Sequence, residues 1–358
     1  MTTHSITEKQ IQGTDPLASI FFDILHFKYY SIALFFIFTG LAYGYVIPAL
    51  SHVSPASDWI TIINIVLVFP TAGYYYNYQP KSILRVYRSI MLYFKEENEA
   101  SIPFDELQAW HAKPIWWIVG VSIGATSAGF GVSKVIEGIQ YAWEGIHWGQ
   151  TLLIFGVRFV AMSMIGIIVM RHIATSIVLT KLFKHTEFPL ALDTDRVEVF
   201  SAVKRFSLEI IGVAAIIGLN LGLQPFVIEV PIVEYSFYVA AYLILVPVTF
   251  FLPLWQVHHR MVKLKSQMLD KLYSDYQEEA EKLYDALALE HKRDLDSSYL
   301  KQTASMISIK QTIDLIDGSP DWPFAGTVFY RLIITILSPF LLVIFEIFIN
   351  IISNVIAP

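Results

Sequence analysis

The chain has 358 residues, 55% of them hydrophobic and 15% aromatic, with 16% charged, a net charge of −6 and a mean hydropathy of +0.53. Several apolar runs are long enough to cross a bilayer, which excludes an ordinary soluble domain. Cysteine is absent, which excludes disulfides, thiolate nucleophiles and cysteine-ligated metals.

The N-terminal stretch MTTHSITEKQIQGTDPLASIFFDIL has no basic, apolar and cleavage-site succession, so no signal peptide is expected. Ile20, Phe21, Ile24, Leu25 and Phe27 give a short apolar face, expected to lie at the inner membrane surface. A first span is expected over Tyr29–Leu50 and a second over Trp59–Gln79, ending in Tyr74, Tyr75, Tyr76 and Tyr78. Such aromatic clusters favour the headgroup level. Pro80 is expected to stop the second helix, with a separate helix over Ser82–Phe94.

Trp116 and Trp117 anchor a third span, Pro114–Val132, whose Gly120, Gly124 and Ala128 lie four apart and allow close helix approach. The fourth begins near Trp148 and runs unbroken to Lys184, about 37 residues, which is longer than a bilayer requires. The fifth covers Phe206–Val227 and the sixth Tyr235–Trp255. Pro247 and Pro253 interrupt the sixth and Pro339 the seventh, and kinked neighbours are suitable hinges.

Residues 256–323 are the one large polar segment. Leu269, Tyr273, Tyr276, Ala280, Leu283 and Leu287 alternate steps of four and three, a short heptad seam. It serves either a packed helix extending the sixth span or a contact between subunits. The last span, Leu332 to Ile356, carries a single charge, Glu346. Glu346, Asn350, Ser353 and Asn354 share one helix face, continued inward by Leu342, Pro339 and Thr335. The chain thus divides into a six-span region (1–255), a helical segment (256–323) and a C-terminal candidate pore helix (324–358).

Seven spans place the two ends on opposite sides. The N-terminal tail carries 2 Lys/Arg, the second-to-third loop 5, the fourth-to-fifth 6 and the sixth-to-seventh 9, while the other side carries only Lys134. The positive-inside bias then puts the N-terminus and the 256–323 segment in the cytoplasm and the C-terminus outside. The expected fold class is an all-α, seven-span membrane protein.

Two charges stand deep within the expected spans, Arg158 and Glu346, at matching depths from the outer ends. A charge there faces protein or water rather than lipid. They form a pair, or Glu346 contributes to an acidic ring lining a pore, or Arg158 binds a ligand in a cavity. In the pore reading Glu346, Asn350, Ser353 and Asn354 line the conduit, and Leu342 and Val343 form a dewetting gate. Asp193, Asp195 and Glu198 lack the glycine and terminal glutamate of a calcium loop, and Asp195 is expected to cap the following helix. His258 and His259 diverge on a helix, so no metal is expected; no catalytic motif and no cofactor are expected either.

PLALDTDRVEVFSAVKRF resembles the D-P-D-R-x-G-G-F segment of a group of uncharacterised bacterial multi-pass proteins, through Asp193, Asp195, Arg196 and Phe200. Thr194, Glu198 and Val199 stand where that group has proline and two glycines. FLPLWQVHHRMVKLK with PDWPF resembles the same group's inner-end signature. The overall plan is similar to the insect odorant and gustatory receptor-like channels, without their Gln-Phe signature in the last span. That resemblance implies a tetramer whose last span lines the pore. The resulting expectation is a homo-oligomeric, ligand-gated, cation-preferring channel in the bacterial plasma membrane, with an unidentified gating ligand. The alternatives are an anti-phage effector gated by a nucleotide or nucleic-acid signal, a solute transporter or receptor with a cavity around Arg158, and a scaffold whose cytosolic helices dock a partner.

Overall fold

The computed structural model describes residues 11–12, 15–46, 49, 62–91, 109–111, 113–136, 148–185, 198–227, 232–289, 297–319, 321–322, 329–337 and 341. The described residues fold as helices. Helix α1 (Pro16–Ala18) runs into a π turn, Ser19–Ile24, and α2 (Tyr29–Leu41) into another, Ala42–Val46. A third π turn, Asn64–Val68, leads into α3 (Phe69–Met91). Then come α4 (Ile115–Ile136), α5 (Trp148–His185), α6 (Glu198–Val227), α7 (Ile232–Leu289) and α8 (Ser297–Asp317). Residues 329–337 are also helical.

Three helices among the described residues are long and apolar enough to cross a membrane: Phe155–Phe183, Glu198–Leu223 and Tyr235–Asp285. As expected, α5 is unbroken, a helix of 38 residues. It is the hub: α3, α4 and α7 all pack on it, and α4 does so most extensively. Gly120 and Gly124 explain that closeness. A Cβ on Gly166 would sit 2.8 Å from the Cα of Gly120, and one on Gly124 would strike Ser163 and the Phe159 carbonyl. Small residues here let two backbones meet, as the four-residue spacing leads one to expect.

One expectation fails at Pro80. Helix α3 passes straight through it to Met91, so no separate helix begins at Ser82. Proline removes one N–H and so orphans the carbonyl four residues earlier, that of Tyr76. Arg171 of α5 donates to that carbonyl at 3.3 Å. The proline is tolerated because a neighbour supplies the missing donor.

Beyond the apolar part of α7, the 58-residue helix continues as one arm of a hairpin whose other arm is α8. Lys265 fixes the register by donating to the Asp317 and Ser319 carbonyls and to Asp321 Oδ1, at 2.7, 3.1 and 3.0 Å. Of the heptad seam, Leu269, Tyr276, Ala280 and Leu283 are half-buried, whereas Tyr273 and Leu287 are exposed. Within one chain these four seam positions are therefore partly covered.

Candidate functional site

Adjacent residues of α5, Arg171 and His172, head a buried polar core. Arg171 Nη2 donates to Asp15 Oδ2 at 2.6 Å, with both side chains buried. The Tyr76 hydroxyl donates to the same oxygen at 2.6 Å, and the guanidinium lies over the Tyr76 ring, 4.7 Å from its centroid. The other Asp15 oxygen caps α1, accepting from the Leu17 and Ala18 amides at 3.0 and 3.4 Å. Aspartate before Pro16 is the local signature of such a cap. Asp15 thus fastens the N-terminal segment into the bundle, and Leu17, Ala18 and Phe21 follow it into the core. Only Ile20, Ile24 and Leu25 of the expected surface face stay exposed.

His172 repeats the device toward α7. Its Nε2 donates to the Thr249 carbonyl at 2.7 Å, which requires the proton on that nitrogen. Thr249 lies four residues before Pro253 in α7, so this carbonyl too is one that a proline has orphaned. The imidazole stacks on Phe206 of α6 at 4.1 Å. Neighbouring side chains of one helix therefore answer for prolines in two others. Gln79 adds a third link, from its Nε2 to the Ile168 carbonyl at 2.8 Å. Around this core the Tyr75 hydroxyl, Gln79 Oε1, His172 Nδ1 and Ser207 Oγ are buried without a hydrogen-bond partner among the described residues.

A second cluster joins α3 to α6. Glu209 Oε1 accepts from Arg85 and Arg205 at 3.1 Å each and from the Tyr78 hydroxyl at 3.3 Å, and Oε2 accepts from Ser82. A third holds Arg158. Its Nε donates to Ser127 of α4 at 3.0 Å and its Nη2 to Tyr238 of α7 at 3.2 Å, while Tyr238 donates to Ser127 at 2.8 Å. Arg158 is thus a polar link among three helices.

Glu346, Asn350, Ser353, Asn354, Leu342 and Val343 lie outside the described residues, as do Asp193, Asp195 and Arg196. Thr335, expected at the inner end of the same polar face, is described. It is buried at 9% exposure, with its carbonyl accepting from Tyr242 at 2.7 Å. Leu332 packs beside it, and Tyr330, Ile334, Leu337 and Leu341 are exposed. The first turns of the C-terminal helix thus hold α7 by the Leu332–Thr335 face and leave the opposite face open. Glu198 and Val199, which replace glycines in the resembling group, are the first residues of α6.

The hairpin meets the C-terminal helix at an aromatic junction. His258 stacks on Trp322 at 4.1 Å, with Nδ1 bonded to the Asp321 carbonyl at 2.8 Å. Phe251 contacts both Trp322 and Phe329. His258 therefore acts as a packing group here. Among the described residues no cluster of metal-ligating side chains occurs.

Arg171 escapes a sequence reading that counts it among the inner-side cations at the end of the fourth span. The usable signals were Asp15-Pro16 as a cap, Pro80 four residues past Tyr76, and the apolar residues on both sides of Arg171. No family model, curated protein or solved structure matches the chain.

Proposed function

We propose that this chain is a seven-span protein of the bacterial plasma membrane, with its N-terminus in the cytoplasm and its C-terminus outside. It assembles as a homo-oligomer, with a tetramer favoured, and conducts cations along its C-terminal span in response to a ligand. The observation that carries this reading is the junction at Trp322. It ties the polar hairpin, through His258 and Lys265, to the start of a C-terminal helix whose described turns hold the bundle by the Leu332–Thr335 face. A force on the hairpin is thereby delivered to the base of that helix. In the pore, Glu346 forms the acidic ring that concentrates cations, Asn350, Ser353 and Asn354 line the conduit, and Leu342 and Val343 constrict it.

The burial of Thr335 favours a second reading. On an uninterrupted helix Glu346 shares the Thr335 face and would turn toward α7, where Arg158 meets Tyr238. The polar link around Arg158 then belongs to a cavity for an anionic solute. Pro339 stands between Thr335 and Glu346, and a proline kink re-aims the helix beyond it. Recordings from purified protein in planar bilayers separate the readings. The channel reading expects unitary currents whose reversal potential is cation-selective and shifts toward zero in Glu346→Gln. Silence under all conditions, with solute uptake abolished by Arg158→Gln, overturns it.

A further inference from the structure

Two faces of the hairpin are apolar and exposed among the described residues. On α7 they are Tyr273 and Tyr284, the latter 74% exposed. On α8 they are Leu300, 67% exposed, with Ile307 and Leu315. Tyr273 and Tyr284 share one helix face, and so do Leu300, Ile307 and Leu315 on the side of α8 turned away from Ile313 and Ile316, which are buried. Lipid does not cover them, because exposed Asp270, Glu281, Lys301 and Lys310 sit among them.

The two faces match in level and in charge. Lys265 fixes residue 265 of α7 opposite Asp317 and Ser319. Both helices rise about 1.5 Å per residue in opposite directions from there. Tyr284 therefore stands at the level of Leu300, and Tyr273 at the level of Ile307 and Lys310. The tyrosine face is flanked by acids, Asp270 and Glu281; the leucine face is flanked by bases, Lys301 and Lys310, with Asp314 as its exception. A two-fold contact made through either face alone would place that face on itself, acid on acid or base on base. A head-to-tail contact between different faces places opposite charges together, and repetition of it closes a ring.

We propose that the hairpins of neighbouring copies pack head to tail, with the leucine face of α8 on one copy against the tyrosine face of α7 on the next. The proposal rests on the oligomeric reading above and names the surface that builds the oligomer. It places the ring contact in the polar hairpin, at one remove from the C-terminal helices that the ring gathers.

The absence of cysteine makes the test direct. Full-length chains carrying Tyr284→Cys and chains carrying Leu300→Cys, each with its own tag, are expressed together and oxidised in the membrane. A disulfide needs Cα atoms about 4.4–6.8 Å apart. The expected result is a crosslink joining the two tags, several-fold more abundant than any between like chains, and a ladder ending at the ring size when one chain carries both changes. Crosslinks between like chains only, or none in a protein that measures as an oligomer, overturn the head-to-tail contact and leave the channel reading standing. A monomer by mass measurement in detergent and in nanodiscs overturns both.

Discussion

The polar core on α5 and the surface of the hairpin use the same residue types to different ends. Asp15 and Arg171 meet out of water, and each also serves a backbone: Asp15 caps α1, and Arg171 answers the carbonyl orphaned by Pro80. Lys282 bridges Glu278 and Glu279 at 2.7 and 3.0 Å on the exposed side of α7, where water does the same work. The lesson is that an ion pair matters by what is left behind when it goes. Removing one partner of a buried pair strands a charge in a low dielectric, whereas removing an exposed partner returns the other to solvent.

The largest expected effect comes from breaking the core. Asp15→Asn leaves the Arg171 guanidinium buried without its counter-charge and should cost about 3–5 kcal/mol. Thermal unfolding in detergent would show it as a strongly lowered Tm. Replacing both residues with apolar ones of similar size should recover much of the loss, because no charge is then stranded.

A finer test addresses the proline. Pro80→Ala restores the N–H that bonds the Tyr76 carbonyl, so Arg171 loses one of its two tasks. Arg171→Met should therefore cost about 1 kcal/mol less in the Pro80→Ala background than alone, read as the coupling in a double-mutant cycle. Strict additivity would mean that the guanidinium does not stand in for the missing donor.

His111, between α3 and α4, gives a pH dependence. The Tyr87 hydroxyl bonds its Nε2 at 2.9 Å. Burial first, and the Arg171 charge second, push its pKa down from 6.5 to about 3. The folded protein thus refuses a proton that the unfolded chain accepts. His111 contributes its full stabilisation above about pH 6.5, and this is lost as pH falls toward about 3, by up to about 1.4 kcal/mol per unit. His111→Gln should flatten the stability profile between pH 6 and 4. An unchanged slope would contradict the assignment.

At the small end, Lys282→Ala should leave Tm unchanged. Lys282 raises no barrier to water, and its pull on Glu278, which lowers the carboxyl below its usual range, acts between fully exposed groups.

The helices that position these sites were legible where one residue type decides the local geometry. Gly120 and Gly124 announce a close contact because only a missing Cβ permits it, and α5 announces its length because nothing in it breaks a helix. The helical extension of the sixth span was legible from the polar composition beyond Trp255, but its return arm, α8, was not. Pro80 misled because its effect depends on whether a donor stands nearby, and that donor lies on a helix remote in sequence. Arg171 was hidden by the same remoteness: a cation near the end of an apolar run reads as a surface charge until Asp15 is brought to it. Thr335 shares a face with Glu346 by period alone, and that Thr335 itself is buried, with its carbonyl accepting from Tyr242, was not readable from the period.

The channel reading stands or falls on the surroundings of position 346. Glu346→Cys introduces the chain's only thiol, and a small cationic thiol reagent can be applied from the C-terminal side during a bilayer recording. The account predicts a rapid, irreversible fall in current that a neutral reagent of the same size produces more slowly. Currents that persist while mass analysis shows the thiol fully modified would contradict a pore lined by the C-terminal helix.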